Sequence, residues 1–198
     1  MILHQNHKEF EDSIVSYLES KGFITESATY HDVMSDSMQN ILSSRYSLTL
    51  LYLRGRADRI AVHKEIINLE FEWESKTHDS PKWKDLTLEM LPLLHHKIKA
   101  AIGVKVLYII KDADNCEKGF WIDKLPIIRE IHIPNRWTGK PHEKFFNDFA
   151  MSYFPNVNIR KGIKSGGSGD PYIIIDYKTV RTFPDWKTLI EEYRKSVI

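Results

Sequence analysis

The chain has 198 residues, of which 42% are hydrophobic and 12% aromatic, and its 28 lysines and arginines against 27 aspartates and glutamates leave a net charge of +1. That length suits one domain with a sizeable buried core, and the ordinary composition excludes collagen-like, disordered and disulfide-scaffold proteins. A near-neutral balance means that any nucleic-acid surface must be a local patch. The longest apolar run, residues 106–110, falls far short of the ~20 residues a membrane helix needs. The first residues turn polar before a signal-peptide core could form, and Cys116 stands alone, so no disulfide and a cytoplasmic, membrane-free setting are expected.

Phe10, Ile14, Val15, Tyr17 and Leu18 recur at helical spacing, which predicts an amphipathic helix over 8–21 closed by Gly22. Residues 27–44 read as an irregular excursion. A strand over 47–53 continues past Gly55 through Asp58, Ile60 and Val62 to a turn at His63, Lys64 and Glu65. The return run, 66–74, alternates: Leu69, Phe71 and Trp73 take one face, Glu70, Glu72 and Glu74 the other. After Pro81 a long helical pattern runs through Trp83, Leu86, Met90, Leu91, Leu94, Ile98 and Ala101, bent or restarted at Pro92. Residues 104–110 then read as a wholly buried strand, paired in parallel after a helical crossover. Further strands are predicted at 119–125, 127–133 and 172–175, with a polar, loop-rich region over 134–169 and a closing helix over 184–197. No repeat and no linker divides the chain.

Three acids on one sheet face repel one another unless a cation sits among them. With a turn of three residues, Asp58 stands opposite Glu70, Arg56 opposite Glu72 and Arg54 opposite Glu74. Opposed side chains have Cβ atoms about 4.5–5.5 Å apart, close enough for Asp58 and Glu70 to share a hard cation such as Mg2+. Two cross-strand salt bridges, Arg54–Glu74 and Arg56–Glu72, are the plainer reading, but they leave Asp58 facing Glu70 uncompensated.

The segments Gly55-Arg56-Ala57-Asp58-Arg59-Ile60 and Ile66-Ile67-Asn68-Leu69-Glu70-Phe71-Glu72, set between an opening helix and a crossover helix with a buried strand, resemble the core of the PD-(D/E)xK nuclease superfamily. This is the fold of many type II restriction endonucleases and DNA repair nucleases. The resemblance spans about residues 9–110 and rests mainly on element order. It implies an α/β, restriction-endonuclease-like core with a central mixed sheet flanked by helices, in a single domain over 1–198. The core lies at about 9–133, and a basic loop-rich region with a C-terminal strand and helix fills 134–198. The lysine expected two residues after the second acid is here Glu72, similar to an E-x-E variant found among restriction enzymes. In that variant Asp58 and Glu70 would hold Mg2+, or Mn2+ in its place, and Glu72 would handle the attacking water. Glu11, on the opening helix, would be a further metal ligand, and Lys76, Arg54 and Arg56 would offset phosphate charge. A literal E-x-K, Glu74-Ser75-Lys76, also occurs; in the register above Glu74 lies about 13 Å along the strand from the position facing Asp58, so Glu70 and Glu72 are favoured.

The implied activity is Mg2+-dependent endonucleolytic cleavage of double-stranded DNA by a homodimer of restriction-enzyme type. The alternatives are an inactive DNA- or protein-binding module on the same fold, or a repair or RNA-directed nuclease. Phosphate contacts are expected from Lys82 and Lys84 on the crossover and from Arg136, Lys140, Arg160, Lys161 and Lys164. In that last region the cations, with Lys144, outnumber Glu143 and Asp148. Three other features carry no chemistry. Asp176-Tyr177-Lys178-Thr179 resembles a RecB-like nuclease motif, but Asp170 is too near for two facing strands. The glycine-rich loop after Arg160 lacks a P-loop ending. No Cys/His set has zinc spacing, and the acidic neighbours of Cys116 disfavour a thiolate.

Overall fold

The structure, a computed structural model, describes residues 2–28, 35, 37, 38, 57–78, 85–163 and 170–198. The predicted strand over 47–53 and the residues Arg54, Arg56, Lys82, Lys84 and Lys164 lie outside them. The opening periodicity builds helix α1 (Ile2–Ser20), whose Phe10, Ile14 and Leu18 are buried. Gly22, at φ 90°, takes the left-handed turn that ends it. Strand β1 (Phe23–Ser27) pairs antiparallel with β2 (Arg59–His63), and β2 with β3 (Glu70–His78). The chain then forms β4 (Asp85–Glu89), helix α2 (Met90–Ala101), β5 (Val106–Asp112) and β6 (Glu117–Trp121). After a 3-10 turn, Ile122–Lys124, come β7 (Ile128–Pro134), α3 (Pro141–Tyr153), β8 (Asn158–Ile163), β9 (Tyr172–Asp176), α4 (Tyr177–Val180) and α5 (Trp186–Val197).

Five strands form a mixed sheet in the order β1-β2-β3-β5-β6, in which β3 and β5 are parallel as the buried run predicts. Its continuous hydrophobicity has a direct cause. Leu107 and Ile109 face a core built from α1, β3 and α5, whereas Val106, Tyr108 and Ile110 face a second core with α2, α3 and the other sheet. The molecule is thus α/β with a mixed central sheet flanked by helices. Among the described residues no helix is long and apolar enough to cross a membrane.

The crossover departs from expectation. Residues 85–89 are not helical but form β4 in a second, four-stranded sheet, β4-β9-β7-β8. The reason is period: Leu86 and Leu88 are buried at 3% and 1% exposure while Asp85, Thr87 and Glu89 alternate with them. The helix begins at Met90, so Pro92 falls in its first turn, where a missing N–H breaks no helical hydrogen bond. The strand predicted at 119–125 ends at Trp121, and the loop-rich region after Pro134 contains α3 and β8.

Candidate active site

The hairpin between β2 and β3 sets the site, and its turn is longer than three residues. Arg59 pairs with Trp73 and Val62 with Glu70, and the N–H of His63 donates to the Leu69 carbonyl at 3.0 Å. Five residues, 64–68, therefore form the loop. His63 organises it: its Nδ1 accepts the N–H groups of Glu65 and Ile66 at 3.1 and 3.0 Å, and its Nε2 lies 3.2 Å from the Lys21 carbonyl. Asn68, at φ 66°, closes the loop in the left-handed conformation that asparagine tolerates.

The register overturns the expected facing of Asp58 and Glu70. One residue beyond the Arg59–Trp73 pair, Asp58 comes to Glu74, and with it to Ser75 and Lys76. The Ser75 N–H donates to Asp58 Oδ2 at 2.8 Å, and Ser75 Oγ lies 3.3 Å from the same oxygen and 3.1 Å from Glu11 Oε1. On the opposite face of β3, Lys76 Nζ meets Glu74 Oε1 at 2.7 Å. Asp58, Glu74, Lys76 and Glu11 are thus brought together, and the E-x-K at 74–76 is the one beside Asp58. Glu70 is exposed and lines a cleft of about 480 Å3 with Glu72, Lys105 and Tyr193, farther along β3. Glu72 is held by Lys99 of α2 at 2.6 Å.

Burial sets the electrostatics. Glu74 is 4% exposed, and this burial, reinforced by the Asp58 carboxylate and opposed by Lys76, pushes its carboxyl up to about 7. Asp58 is raised for the same first reason, with Lys76 and the Ser75 N–H opposing. Burial draws Lys76 downward, but the carboxylates of Glu74, Asp58 and Glu89 outweigh it and hold the ammonium protonated. Glu11 is lowered chiefly by its hydrogen bond from His7 Nε2, 3.2 Å away, which in turn raises His7. Glu89, at the end of β4, adds its charge to this group and carries no mark in the sequence. Nothing in a local pattern could mark it, because it reaches the cluster only through the second sheet.

Carboxylate oxygens are the donors a hard divalent cation prefers. Glu74 Oε2 is buried without a hydrogen-bond partner, an arrangement that is costly unless something positive completes it. Asp58, Glu74 and Glu11 therefore fit such an ion in chemistry. Among the described residues no group of three His, Cys, Asp or Glu side chains is arranged to hold a metal ion; Lys76 is the cation that answers the acids here.

Three of the expected phosphate-contacting cations are engaged by acids. Arg160 pairs with Glu130 at 2.6 Å, Lys161 with Glu143 at 2.7 Å and Arg136 with Asp170, while Lys140 stands exposed at the start of α3. Asp176 caps α4 through the Lys178 N–H at 3.0 Å, as an ordinary helix-capping acid does. His96 is buried against Tyr108, with which it shares a 2.7 Å hydrogen bond.

No protein-family profile matches the chain, and no curated protein does. Among solved structures it is similar to the 1.6 Å structure of Hjc, a Holliday junction resolvase from the archaeal hyperthermophile Archaeoglobus fulgidus. The two share 10% sequence identity and a TM-score of 0.47, over 93% of this chain and 98% of that one.

Proposed function

We propose that the protein is a divalent-metal-dependent nuclease that hydrolyses phosphodiester bonds in DNA, with Asp58, Glu74 and Lys76 as its central residues and Glu11 beside them. The observation that carries this reading is the meeting of Asp58 with Glu74-Ser75-Lys76 across the β2–β3 register. It supplies the D…E-x-K pattern of the superfamily the sequence resembles, on the strand that pairs in parallel with the one after the crossover. Glu70 and Glu72, which the sequence favours, lie at the other end of β3 and stand outside this set.

Asp58 and Glu74, with Glu11, would hold the cation, for which Mg2+ is the natural candidate and Mn2+ a substitute. The bound ion supplies Lewis acidity for activating water and neutralising phosphate charge. Lys76, fixed by Glu74, places a positive charge where a phosphate oxygen or the attacking water would lie, and so opposes the repulsion between acidic site and anionic substrate. His7 steadies Glu11 from the outer side. A homodimer cutting both strands of a duplex, as restriction enzymes do, is the narrower form of this proposal.

The test incubates the wild type and the Asp58→Ala, Glu74→Ala, Lys76→Ala and Glu70→Ala variants with duplex and branched DNA, in Mg2+, Mn2+ or chelator. Metal-dependent cleavage lost in the first three variants and kept in Glu70→Ala is the expected result. Discrete fragments from a duplex would favour the restriction type, and branched substrates cut in preference would favour a repair role. Intact DNA in both metals, with no metal bound, would overturn the enzyme in favour of a binding module.

A further inference from the structure

Ser75 occupies the variable position between Glu74 and Lys76, and the pleat turns it to the other face of β3, toward α1. It follows Phe71 and Trp73 on that face, and all three are buried, Ser75 at 0% exposure. A hydroxyl in such an apolar row is unfavourable unless it is hydrogen-bonded. Its partners are two acids from different elements, Glu11 Oε1 at 3.1 Å and Asp58 Oδ2 at 3.3 Å, while its N–H holds the same Asp58 oxygen at 2.8 Å. A hydroxyl carries one proton, so it serves one acid at a time and sits between two groups whose like charges would drive them apart. The bonds fall on one oxygen of each carboxylate, and each acid has a second oxygen to offer a cation.

We propose that Ser75 is a positioning residue of the metal centre, tying Glu11 on α1 to Asp58 before β2 so that both acids address one divalent cation. The inference rests on the metal-dependent reading above. Groups that orient metal-binding carboxylates change metal affinity by roughly 10–100-fold when removed, although they touch neither metal nor substrate.

The test measures Mn2+ binding to the full chain without DNA, by calorimetry and by the electron paramagnetic resonance of free Mn2+, for wild type, Ser75→Ala, Ser75→Cys and Ser75→Thr. Thermal melts of the metal-free proteins report folding. Ser75→Ala should weaken Mn2+ binding by roughly tenfold or more with little change in the metal-free melt, and should lower kcat more than it alters KM for DNA. Ser75→Thr, which keeps the hydroxyl, should recover the affinity. Ser75→Cys, close in size and only a weak donor, should lose affinity in the same direction and decides the matter where the alanine variant does not fold. Equal Mn2+ affinity in folded wild type and in the folded alanine or cysteine variant overturns the role of Ser75 and leaves the nuclease reading standing. Absence of Mn2+ binding by wild type overturns both.

Discussion

At the scale of single residues, the hairpin register decides which acids matter. A loop over 64–68, centred two residues later than a turn at 63–65, carries the position facing Asp58 from Glu70 to Glu74, a slip of four positions along β3. An even slip keeps every side chain on its own face of the sheet, whereas an odd one would reverse them all. The alternation of Phe71 and Trp73 against Glu70, Glu72 and Glu74 was therefore legible in the sequence while the pairing was not. Ile66 and Ile67, apolar enough to read as strand, belong to the loop, and Ile67 is 84% exposed. Glu72→Ala should release Lys99 yet leave cleavage within about threefold, a change of the size a partly exposed ion pair is worth. Glu74→Ala should abolish cleavage, and gel assays of both variants check the assignment. The buried carboxyl also predicts a pH effect. Glu74 keeps its proton to about 7 in the folded chain against 4.5 ordinarily, so between those values the native state binds more protons than the unfolded one. Its contribution to stability is full below about 4.5 and is lost as pH rises through about 7. Chelator-treated wild type should thus lose more stability than Glu74→Gln between those limits, as read in denaturant melts; parallel curves would contradict the burial argument.

At the scale of elements, the long periodic segments were readable and the short ones were not. Helices α1 and α5 and the buried strand β5 follow from spacing alone, because each carries a whole face or two of apolar residues. Strand β4 could not be separated from the helix behind it, since Leu86 and Leu88 run into Met90 and Leu91 with only Glu89 between them and no breaking residue at the boundary. Only pairing with Ile173 and Ile175 of β9 selects the extended form. The same dependence on partners governs how α5 seats on the sheet. A Cβ at Gly119 of β6 would lie 2.7 Å from Trp186 Cβ and 3.0 Å from its Cα, at the first residue of α5. The close approach lets the Trp186 ring bury against Tyr17, 5.0 Å away edge-on, while its indole N–H donates to Glu117 at 2.8 Å. Gly119→Ala should push the helix off the sheet and destabilise the fold by about 1–3 kcal/mol, the usual range for overpacking. Trp186→Ala, which leaves a void instead, should do so by about 3–5 kcal/mol. Denaturant unfolding of the two variants gives the comparison; a neutral Gly119→Ala would mean that α5 does not press on β6 there.

At the scale of the whole molecule, the question is how a chain of net charge +1 would hold a polyanion. Counted along the sequence, 135–164 looks basic, but folding supplies acids from outside that window: Glu130 of β7 meets Arg160, and Asp170 before β9 meets Arg136. Glu143 takes Lys161, and Lys144 joins Asp148 across one turn of α3. A local count of charge could not reveal the first two pairings, because Glu130 lies on β7 and Asp170 just before β9, segments that only the second sheet brings alongside. The cations can reach phosphate only by exchanging one anionic partner for another, which weakens the counterion-release gain on binding. Neutralising the competing acids should therefore strengthen DNA binding rather than weaken it. In Glu130→Gln/Glu143→Gln, Arg160 and Lys161 lose their anionic partners. If both then engage phosphates, the plot of log affinity against log salt should steepen by up to about two, at roughly 0.9 per phosphate contact. Fluorescence anisotropy on a labelled duplex across a salt series, with chelator present to prevent cleavage, measures that slope. An unchanged slope would place the DNA on another face of the molecule, with α2 and the Glu74–Lys76 stretch of β3 as the next surface to map by substitution.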